Sequence, residues 1–159
     1  MVVGVISDTH GLVRAAVHEA LAGSYLILHA GDVCGDDVLT ELSTIAPVAA
    51  VMGNCDPPGH PRLPTRIDRE IGGHTFHVSH GHELGVPRPA GLLAAYDASV
   101  IVFGHTHRPL VHRSGGRLVL NPGAAGPRRF DILPSVARLT ITSEGIDVAI
   151  VELPIDSEP

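Results

Sequence analysis

Five short polar motifs stand directly after apolar runs of the chain, and their side chains are of types that bind metal ions. The motifs are Asp8-Thr9-His10, Gly31-Asp32, Gly53-Asn54-Cys55-Asp56, His80-Gly81-His82 and Gly104-His105-Thr106-His107. They offer carboxylate, amide and imidazole ligands, a mixed set that suits Mn, Fe, Zn, Co or Ni rather than calcium. Because the set is not built from thiolates, it does not indicate a structural zinc site. The chemistry indicated is hydrolysis at a two-metal centre.

Each motif must be held in place by the element before it, and each follows a segment with the pattern of a buried strand. These strands are predicted at residues 2–6, 25–28, 48–52, 76–79 and 100–103. Continuous apolar runs of this length are typical of parallel strands that are covered on both faces. In an open α/β sheet, sites form beyond the carboxyl ends of such strands. We therefore expect ligands that are distant in sequence to converge.

The remaining elements follow from apolar spacing and turn residues. Helices are predicted at 12–22 and 36–46, with a short helix at 90–96. Hairpins are predicted around Gly72-Gly73, Gly115-Gly116 and Ser143-Glu144-Gly145. Their strands are predicted at 66–71 with 75–79, 110–113 with 118–120, and 136–142 with 146–151. The second half is thus expected to be mostly antiparallel. The fold class is α/β (α+β): two packed mixed β-sheets flanked by helices, in one domain over residues 1–159.

Composition excludes several classes of function. The net charge is −6, and every basic side chain is an arginine, so Schiff-base chemistry and a P-loop lysine are excluded. No basic run and only five aromatic residues are present, which disfavours duplex and single-strand nucleic-acid binding. Two cysteines make no disulfide framework, and no apolar stretch suits a membrane span or a signal peptide. A cytoplasmic protein acting on a small substrate is expected, and exposed sheet edges leave a homo-oligomer open.

The five motifs, in this order and spacing, resemble those of the calcineurin-like metallophosphoesterase superfamily, and most closely its small bacterial and archaeal phosphodiesterase branch. The resemblance spans residues 2–151 and includes the turn Asn121-Pro122-Gly123. It implies a four-layer sandwich of two sheets between helices. It also implies two divalent transition-metal ions as cofactors, with Mn favoured and Fe, Ni, Co or Zn as alternatives.

The resemblance further implies a ligand set. One metal would be held by Asp8, His10, Asp32 and His107. The other would be held by Asp32, Asn54, His80 and His105, with Asp32 bridging through its two oxygens. A hydroxide shared by the ions would attack the phosphorus of a phosphodiester, and the ions would offset the charge that grows on the phosphate oxygens. Asp32, Asn54 and His80 are therefore the residues assigned to catalysis.

One position departs from the wider superfamily. Many members carry histidine directly after the asparagine, where this chain has Cys55. A thiol with an ordinary pKa of about 8.5 is a weak proton donor. This favours phosphodiesters, or substrates with good leaving groups, over general phosphomonoesters. His82 is a candidate replacement donor, and Asp56 is a candidate for orienting the metal-binding imidazoles.

Other residues receive simpler interpretations. Taken singly, Asp8 could be a helix cap, and Asp32 or Asn54 a turn residue. His77 is interpreted as an outward-facing strand residue, His29 as a packed histidine with a supporting role as the alternative, and Cys34 as a buried thiol. Arg128-Arg129 is interpreted as a solvated pair rather than a phosphate contact. Leu92, Leu93 and Tyr96 are interpreted as core.

Competing functions remain on the same fold. A non-catalytic scaffold that binds partner proteins is one, as in the retromer subunit that resembles this family. The intact ligand set argues against it. A phosphomonoesterase or a nuclease on the same site is another. A phosphomonoesterase would need the histidine that this chain lacks after the asparagine. A nuclease would need a basic channel lined by aromatic residues.

Overall fold

Ten strands and three helices make up the computed structural model, which describes residues 1–155. The strands are β1 (Val2–Ile6), β2 (Leu26–His29), β3 (Val48–Ala50), β4 (Arg66–Ile71), β5 (His74–Ser79), β6 (Val100–Val102), β7 (Leu110–Ser114), β8 (Arg117–Asn121), β9 (Ser135–Thr142) and β10 (Gly145–Glu152). The helices are α1 (Ala15–Ala20), α2 (Asp36–Ser43) and α3 (Pro89–Ala95), with a single 3-10 turn at His82–Leu84. No helix within residues 1–155 is long and apolar enough to span a bilayer.

The strands form two mixed sheets of five. The first has the order β10-β9-β1-β2-β3, with β1, β2 and β3 parallel and β9 antiparallel to β1. The second has the order β4-β5-β6-β8-β7, with β5, β6 and β8 parallel and an antiparallel strand at each edge. The expectation that the second half is mostly antiparallel is therefore wrong for the centre of this sheet. The glycine hairpins mark only its edges, while α3 serves as the crossover that a parallel pair requires.

The two sheets pack face to face around one apolar core. Val3 and Leu28 of the first sheet share this cluster with Val78, Val102 and Leu120 of the second. Helices α1 and α2 cover the outer face of the first sheet, through residues such as Val17 and Leu42. Helix α3 covers the outer face of the second sheet through Leu92. The predicted sandwich of two sheets between helices is confirmed.

Two helices are shorter than their apolar periodicity predicts. Helix α1 begins at Ala15 rather than at residue 12, because Arg14 has an extended backbone with ψ of 144°. Helix α2 begins as predicted and ends at Ser43. Residues 44–46 continue only as turns, and Pro47 disfavours helical geometry in the residue before it. The β-hairpins and the strands β1 and β4 lie where the sequence predicts them.

Candidate metal centre

The polar motifs meet at one end of both sheets. Asp8, Asp32 and Asn54 follow β1, β2 and β3, the three parallel strands of the first sheet. His80 follows β5, and the motif Gly104-His105-Thr106-His107 follows β6 of the second sheet. The carboxyl ends of the parallel strands therefore place all five motifs in one region, as expected for this type of fold.

The loops after these strands are tightly bent. Outside glycine, only seven residues of the described chain have positive φ, and five of them are candidate ligands: Asp8, His10, Asp32, His105 and His107. Such left-handed conformations are uncommon for non-glycine residues and cluster at functional sites, where the surrounding structure enforces them. The sequence gives no direct signal for this, since aspartate and histidine only tolerate the conformation better than most residues.

Glycines allow other parts of the chain to approach the candidate ligands. A side-chain carbon at Gly53 would overlap the carboxylate and backbone nitrogen of Asp32, and one at Gly104 would overlap Ser7 Oγ and crowd Asp8 Oδ2. Neither glycine has a positive φ, so the need for glycine here is steric. The glycine that begins each of these two motifs is thus part of the packing around the centre.

Asp8 presents one carboxylate oxygen to the centre. Its Oδ2 accepts hydrogen bonds from Ser7 Oγ at 2.6 Å and from the His105 backbone N–H at 3.1 Å. Its Oδ1 is buried and has no hydrogen-bond partner among the described residues. This atom lies 3.2 Å from His107 Nε2, 3.8 Å from His80 Nε2 and 3.9 Å from His10 Nε2. One oxygen therefore fixes the side chain while the other faces three imidazoles.

Asp32 divides its oxygens in the same way. Its Oδ1 accepts the Cys55 backbone N–H at 2.8 Å. Its Oδ2 lies 3.3 Å from His80 Nε2 and 3.6 Å from His10 Nε2. Ligand atoms that share one ion at a bond length of about 2.1 Å lie roughly 3–3.5 Å apart, so each imidazole lies at or close to the distance expected if it shared a cation with Asp32.

The imidazoles also present unpaired atoms. His80 Nδ1 donates to the Ala30 carbonyl at 2.7 Å, which orients its Nε2 toward the two carboxylates. His80 Nε2 and His10 Nε2 are buried and have no hydrogen-bond partner in residues 1–155. An unpaired buried polar atom is costly, and a bound ion removes that cost. His105 Nδ1 lies 3.1 Å from Asn54 Oδ1 at the more open side of the site.

The carboxylates and imidazoles of the centre shift one another's pKa values. Burial alone would raise the pKa of Asp8, but contacts with His107, His80 and Ser7 lower it below its ordinary value. Burial likewise opposes ionisation of Asp32, whose pKa is nevertheless lowered by His80 and the Cys55 N–H. The two carboxylates outweigh the effect of burial on His80 and raise its pKa. Burial lowers the pKa of His10 and of His105, which favours the neutral imidazole that binds metals.

The structure corrects the expectation for Asp56. Its carboxylate contacts no imidazole within hydrogen-bonding distance and instead accepts the backbone N–H groups of Val33, Cys34 and Gly53 at 2.8 to 3.1 Å. It thereby ties the loop after β2 to the loop after β3. For His80, the ring is oriented by the Ala30 carbonyl.

His77 is also not an outward, solvated residue. It is buried, its Nδ1 donates to Asp68 Oδ1 at 2.7 Å, and its Nε2 lies 3.0 Å from Ser79 Oγ. Its ring stacks on Tyr96 at a centroid distance of 3.6 Å. The alternation of β5 places His77 correctly on the face opposite Phe76 and Val78, but that face is covered by α3 and not by water.

The other secondary candidates lie around the centre. His82 is near His80 and His105, with ring centroids 5.3 and 6.1 Å apart. Cys55 is exposed, and its sulfur, His10 and Asp32 offer ligand atoms within 4.8 Å of one another. Cys34 is half-buried, with its sulfur 3.7 Å from His10 Nδ1; burial and nearby carboxylates raise the pKa of its thiol to about 11. Arg128 and Arg129 are exposed, as expected.

Three further side chains support the candidate ligands. Ser7 holds Asp8, as described above. His29, for which packing and a supporting role were both open, is fully buried; it contacts Thr9 Oγ1 at 3.0 Å and accepts the Gly31 N–H at 3.2 Å. Asn121 donates to the Gly104 carbonyl and accepts the Gly123 N–H, both at 2.9 Å, so it fixes the loop that carries His105 and His107. In the sequence, its position directly before Pro122-Gly123 was the signal that could have indicated this role.

The fold agrees with that of the known proteins that the chain resembles. The model of the calcineurin-like phosphoesterase superfamily domain matches residues 1–144, and the chain belongs to that superfamily. A probable metallophosphoesterase of Methanothermobacter thermautotrophicus is 40% identical and aligns with 95% of this chain and 92% of its own length. A probable metallophosphoesterase of Bacillus subtilis is 33% identical, over 91% of this chain and 86% of its own. Enzymes of this superfamily act on phosphoester bonds and generally use divalent metal ions.

Solved structures share the fold. A structure described as a novel archaeal phosphodiesterase superposes with a TM-score of 0.76, covering 96% of this chain and all of the other at 22% identity. Vps29 of Entamoeba histolytica, in a structure described as complexed with Zn²⁺, superposes with a TM-score of 0.76 at 26% identity, covering 96% of this chain and 99% of the other. The same architecture therefore occurs both in a protein described as a phosphodiesterase and in Vps29.

Proposed function

We propose that this chain is a metal-dependent phosphodiesterase that uses two divalent cations. The observation that carries the proposal is the convergence of Asp8 Oδ1 and Asp32 Oδ2 on buried, unpaired imidazole nitrogens of His10 and His80. Two anionic oxygens and neutral imidazoles at these distances form a donor set for transition-metal ions. A structural role for such an array would leave several buried polar atoms uncompensated.

The first cation would be held by Asp8, His10, Asp32 and His107. Asp8, His10 and His107 offer ligand atoms within 4.8 Å of one another, which supports a common ion. The second cation would be held by Asp32, Asn54, His80 and His105. Asp32 would belong to both sets. Since its Oδ1 accepts the Cys55 N–H, Oδ2 is the oxygen that faces His10 and His80 and would be available to both sets.

Two cations in this arrangement would lower the pKa of a shared water and neutralise charge that develops on the phosphoryl oxygens. The protein's own contribution is to hold the donors in place. Ser7 fixes Asp8, the Cys55 N–H fixes Asp32, and the Ala30 carbonyl fixes His80. Each of these hydrogen bonds occupies one polar atom of the side chain and leaves another free to bind a metal. The metal-binding atoms are therefore positioned before the ions bind. Asp32, Asn54 and His80 are accordingly the residues to which we assign catalysis.

The preference for diesters rests on Cys55. Partial burial and the charge of Asp32 raise the pKa of this thiol, which makes it a poor source of protons for a leaving alkoxide. A substrate whose leaving oxygen needs no proton would therefore be favoured. His82 is an alternative donor, because its ring lies beside His80 and His105.

The likeness to Vps29 supports one alternative, a scaffold that binds partner proteins without catalysis. The carboxylates and imidazoles favour the enzyme, since a scaffold has no need for unpaired buried donors. Turnover of bis-p-nitrophenyl phosphate by the Mn²⁺-loaded protein separates the two. We expect turnover that falls to background in His107→Ala. Metal-loaded protein with no activity above this variant would refute the enzyme.

A further inference from the structure

A pocket of about 180 Å³ opens beside the candidate metal centre. Three of the residues that line it adjoin candidate ligands in sequence: Met52 lies two before Asn54, Ser79 directly before His80, and His82 two after it. The His82 ring lies 5.3 Å from the His80 ring, measured between centroids. His82 therefore borders both the pocket and the candidate metal centre.

The lining is mainly apolar, and its aromatic residue is held firmly. Tyr96 stacks on the buried His77 ring, and its hydroxyl donates to Glu83 Oε1 at 2.8 Å. Glu83 Oε2 in turn accepts the Gly81 N–H at 2.9 Å. Both oxygens of the Glu83 carboxylate thus accept hydrogen bonds within the protein. The carboxylate orients Tyr96 and is not free to bind a ligand. A rigid aromatic side chain costs little conformational entropy when a ring packs on it.

The size of the pocket limits its occupant. Sites for drug-sized ligands are typically about 300–1,000 Å³, so a pocket of 180 Å³ accommodates a single ring and not a dinucleotide. Met52 and Tyr96 supply apolar surface, while of the charged lining groups Arg66 pairs with Asp68 at 3.2 Å and Glu83 is engaged as described. The chemistry that fits is an apolar six-membered ring joined to the phosphate.

We propose that the pocket lined by Met52, Thr65, His82 and Tyr96 binds an aryl group of the substrate, so that aryl-substituted phosphodiesters are its preferred class. The inference rests on the proposed phosphodiesterase function. Its physical basis is burial of the ring against Tyr96 and Met52, which makes roughly 10- to 100-fold in affinity available relative to a methyl group at the same position.

Two phosphonates test this without requiring turnover. Phenylphosphonate and methylphosphonate share their charge and phosphoryl oxygens and differ only in the ring. Calorimetric titration of the Mn²⁺-loaded protein should show phenylphosphonate binding at least 10-fold more tightly. The ratio of the two affinities should fall toward one in Tyr96→Ala and also in Thr65→Trp, where an indole fills the pocket from an exposed position. Tyr25→Ala, at the other and highly exposed tyrosine, should keep the ratio of the wild type.

The outcomes are distinguishable. Equal affinities in the wild type, or a ratio that survives Thr65→Trp, would overturn the inference while diesterase activity could still stand. If neither phosphonate binds and no diester is hydrolysed, the proposed function fails and the inference falls with it. Thymidine 5′-monophosphate and deoxyribose 5-phosphate form a second pair of probes. If the base increases affinity and the phenyl ring does not, the pocket binds nucleobases, which contradicts an aryl site.

Discussion

Asp32 Oδ2 lies 3.3 Å from His80 Nε2, although the two residues follow strands of different sheets. The contact raises the pKa of the imidazole against the effect of burial, because the carboxylate stabilises the charged ring. In the proposed enzyme a bound cation would supply the positive charge that this proton supplies in the metal-free protein. The pair thus spans the boundary between the two sheets at the position where a second metal would bind.

Replacing Asp32 with asparagine should remove metal without removing the fold. Asparagine keeps an acceptor for the Cys55 N–H but has no anionic oxygen for the cations. We expect metal content, measured by elemental analysis of the purified protein, to fall from two ions to one or none. Diester turnover should fall by at least about 100-fold, the order expected when charge stabilisation at the reacting phosphate is lost. The exposed Asp36→Asn is the matched control and should retain both properties.

A methyl group at Gly104 should damage the centre through steric overlap alone. The added carbon would collide with Ser7 Oγ and press on Asp8 Oδ2. We expect Gly104→Ala to weaken metal binding and to lower the unfolding midpoint in urea. Gly91→Ala in α3 is its control, since no atom lies near the added carbon there. That variant should gain about 0.5–1 kcal/mol from reduced flexibility of the unfolded chain and the better helix propensity of alanine. Equal effects of both substitutions would contradict the packing described here.

Asn121→Ala should loosen the loop that carries His105 and His107. The substitution leaves the Gly104 carbonyl and the Gly123 N–H without their side-chain partner in a buried region. Unpaired buried groups of this kind cost about 1–3 kcal/mol each, so urea unfolding should show a loss of that order. Diester turnover should decline as well, because both imidazoles would be held less firmly. Unchanged stability would show that the side chain does not anchor the loop.

The metal-free protein should lose stability as the pH falls from about 6.5 to about 4 through His29. Complete burial lowers the pKa of this imidazole to about 4, against an ordinary value of 6.5. Between these values the unfolded chain binds the proton and the folded chain does not, so stability increases with pH. The stabilisation present above pH 6.5 is therefore lost as the pH approaches 4, by roughly 2–3 kcal/mol.

Urea unfolding of the metal-free protein at several pH values, compared with His29→Asn, isolates this effect. Asparagine offers an acceptor near the position of Nδ1 for the Gly31 N–H but does not titrate. The variant should be less stable at pH 7 and should show a flatter dependence on pH. A variant with the same slope as the wild type would assign the acid sensitivity to other groups.

Local pattern predicted much of this molecule, and the reasons are visible in particular residues. Strand β1 is an uninterrupted apolar run, so its position and burial followed directly. Asp8 and Asp32 could be grouped because they end parallel strands, and the structure brings their carboxylates to the same imidazoles. The backbone conformation after each strand was harder to predict. Positive φ at Asp8 or His107 has no sequence signal beyond the residue type.

Long-range contacts account for the errors. The environment of His77 depends on Tyr96 and Asp68, which lie far from it in sequence or on another strand. Asp56 was expected to orient a ring, but three backbone N–H groups lie closer to it than any imidazole. The number of parallel strands in the second sheet depended on where the chain returns after α3, which the glycine hairpins do not specify.

The most direct test of the account is a titration of the metal-free protein with Mn²⁺, in which bound metal and hydrolysis of bis-p-nitrophenyl phosphate are followed together. We expect activity to rise to its maximum as two ions bind per chain, and His107→Ala to bind fewer ions and stay at background. Full activity with one ion, or two bound ions without hydrolysis, would contradict it.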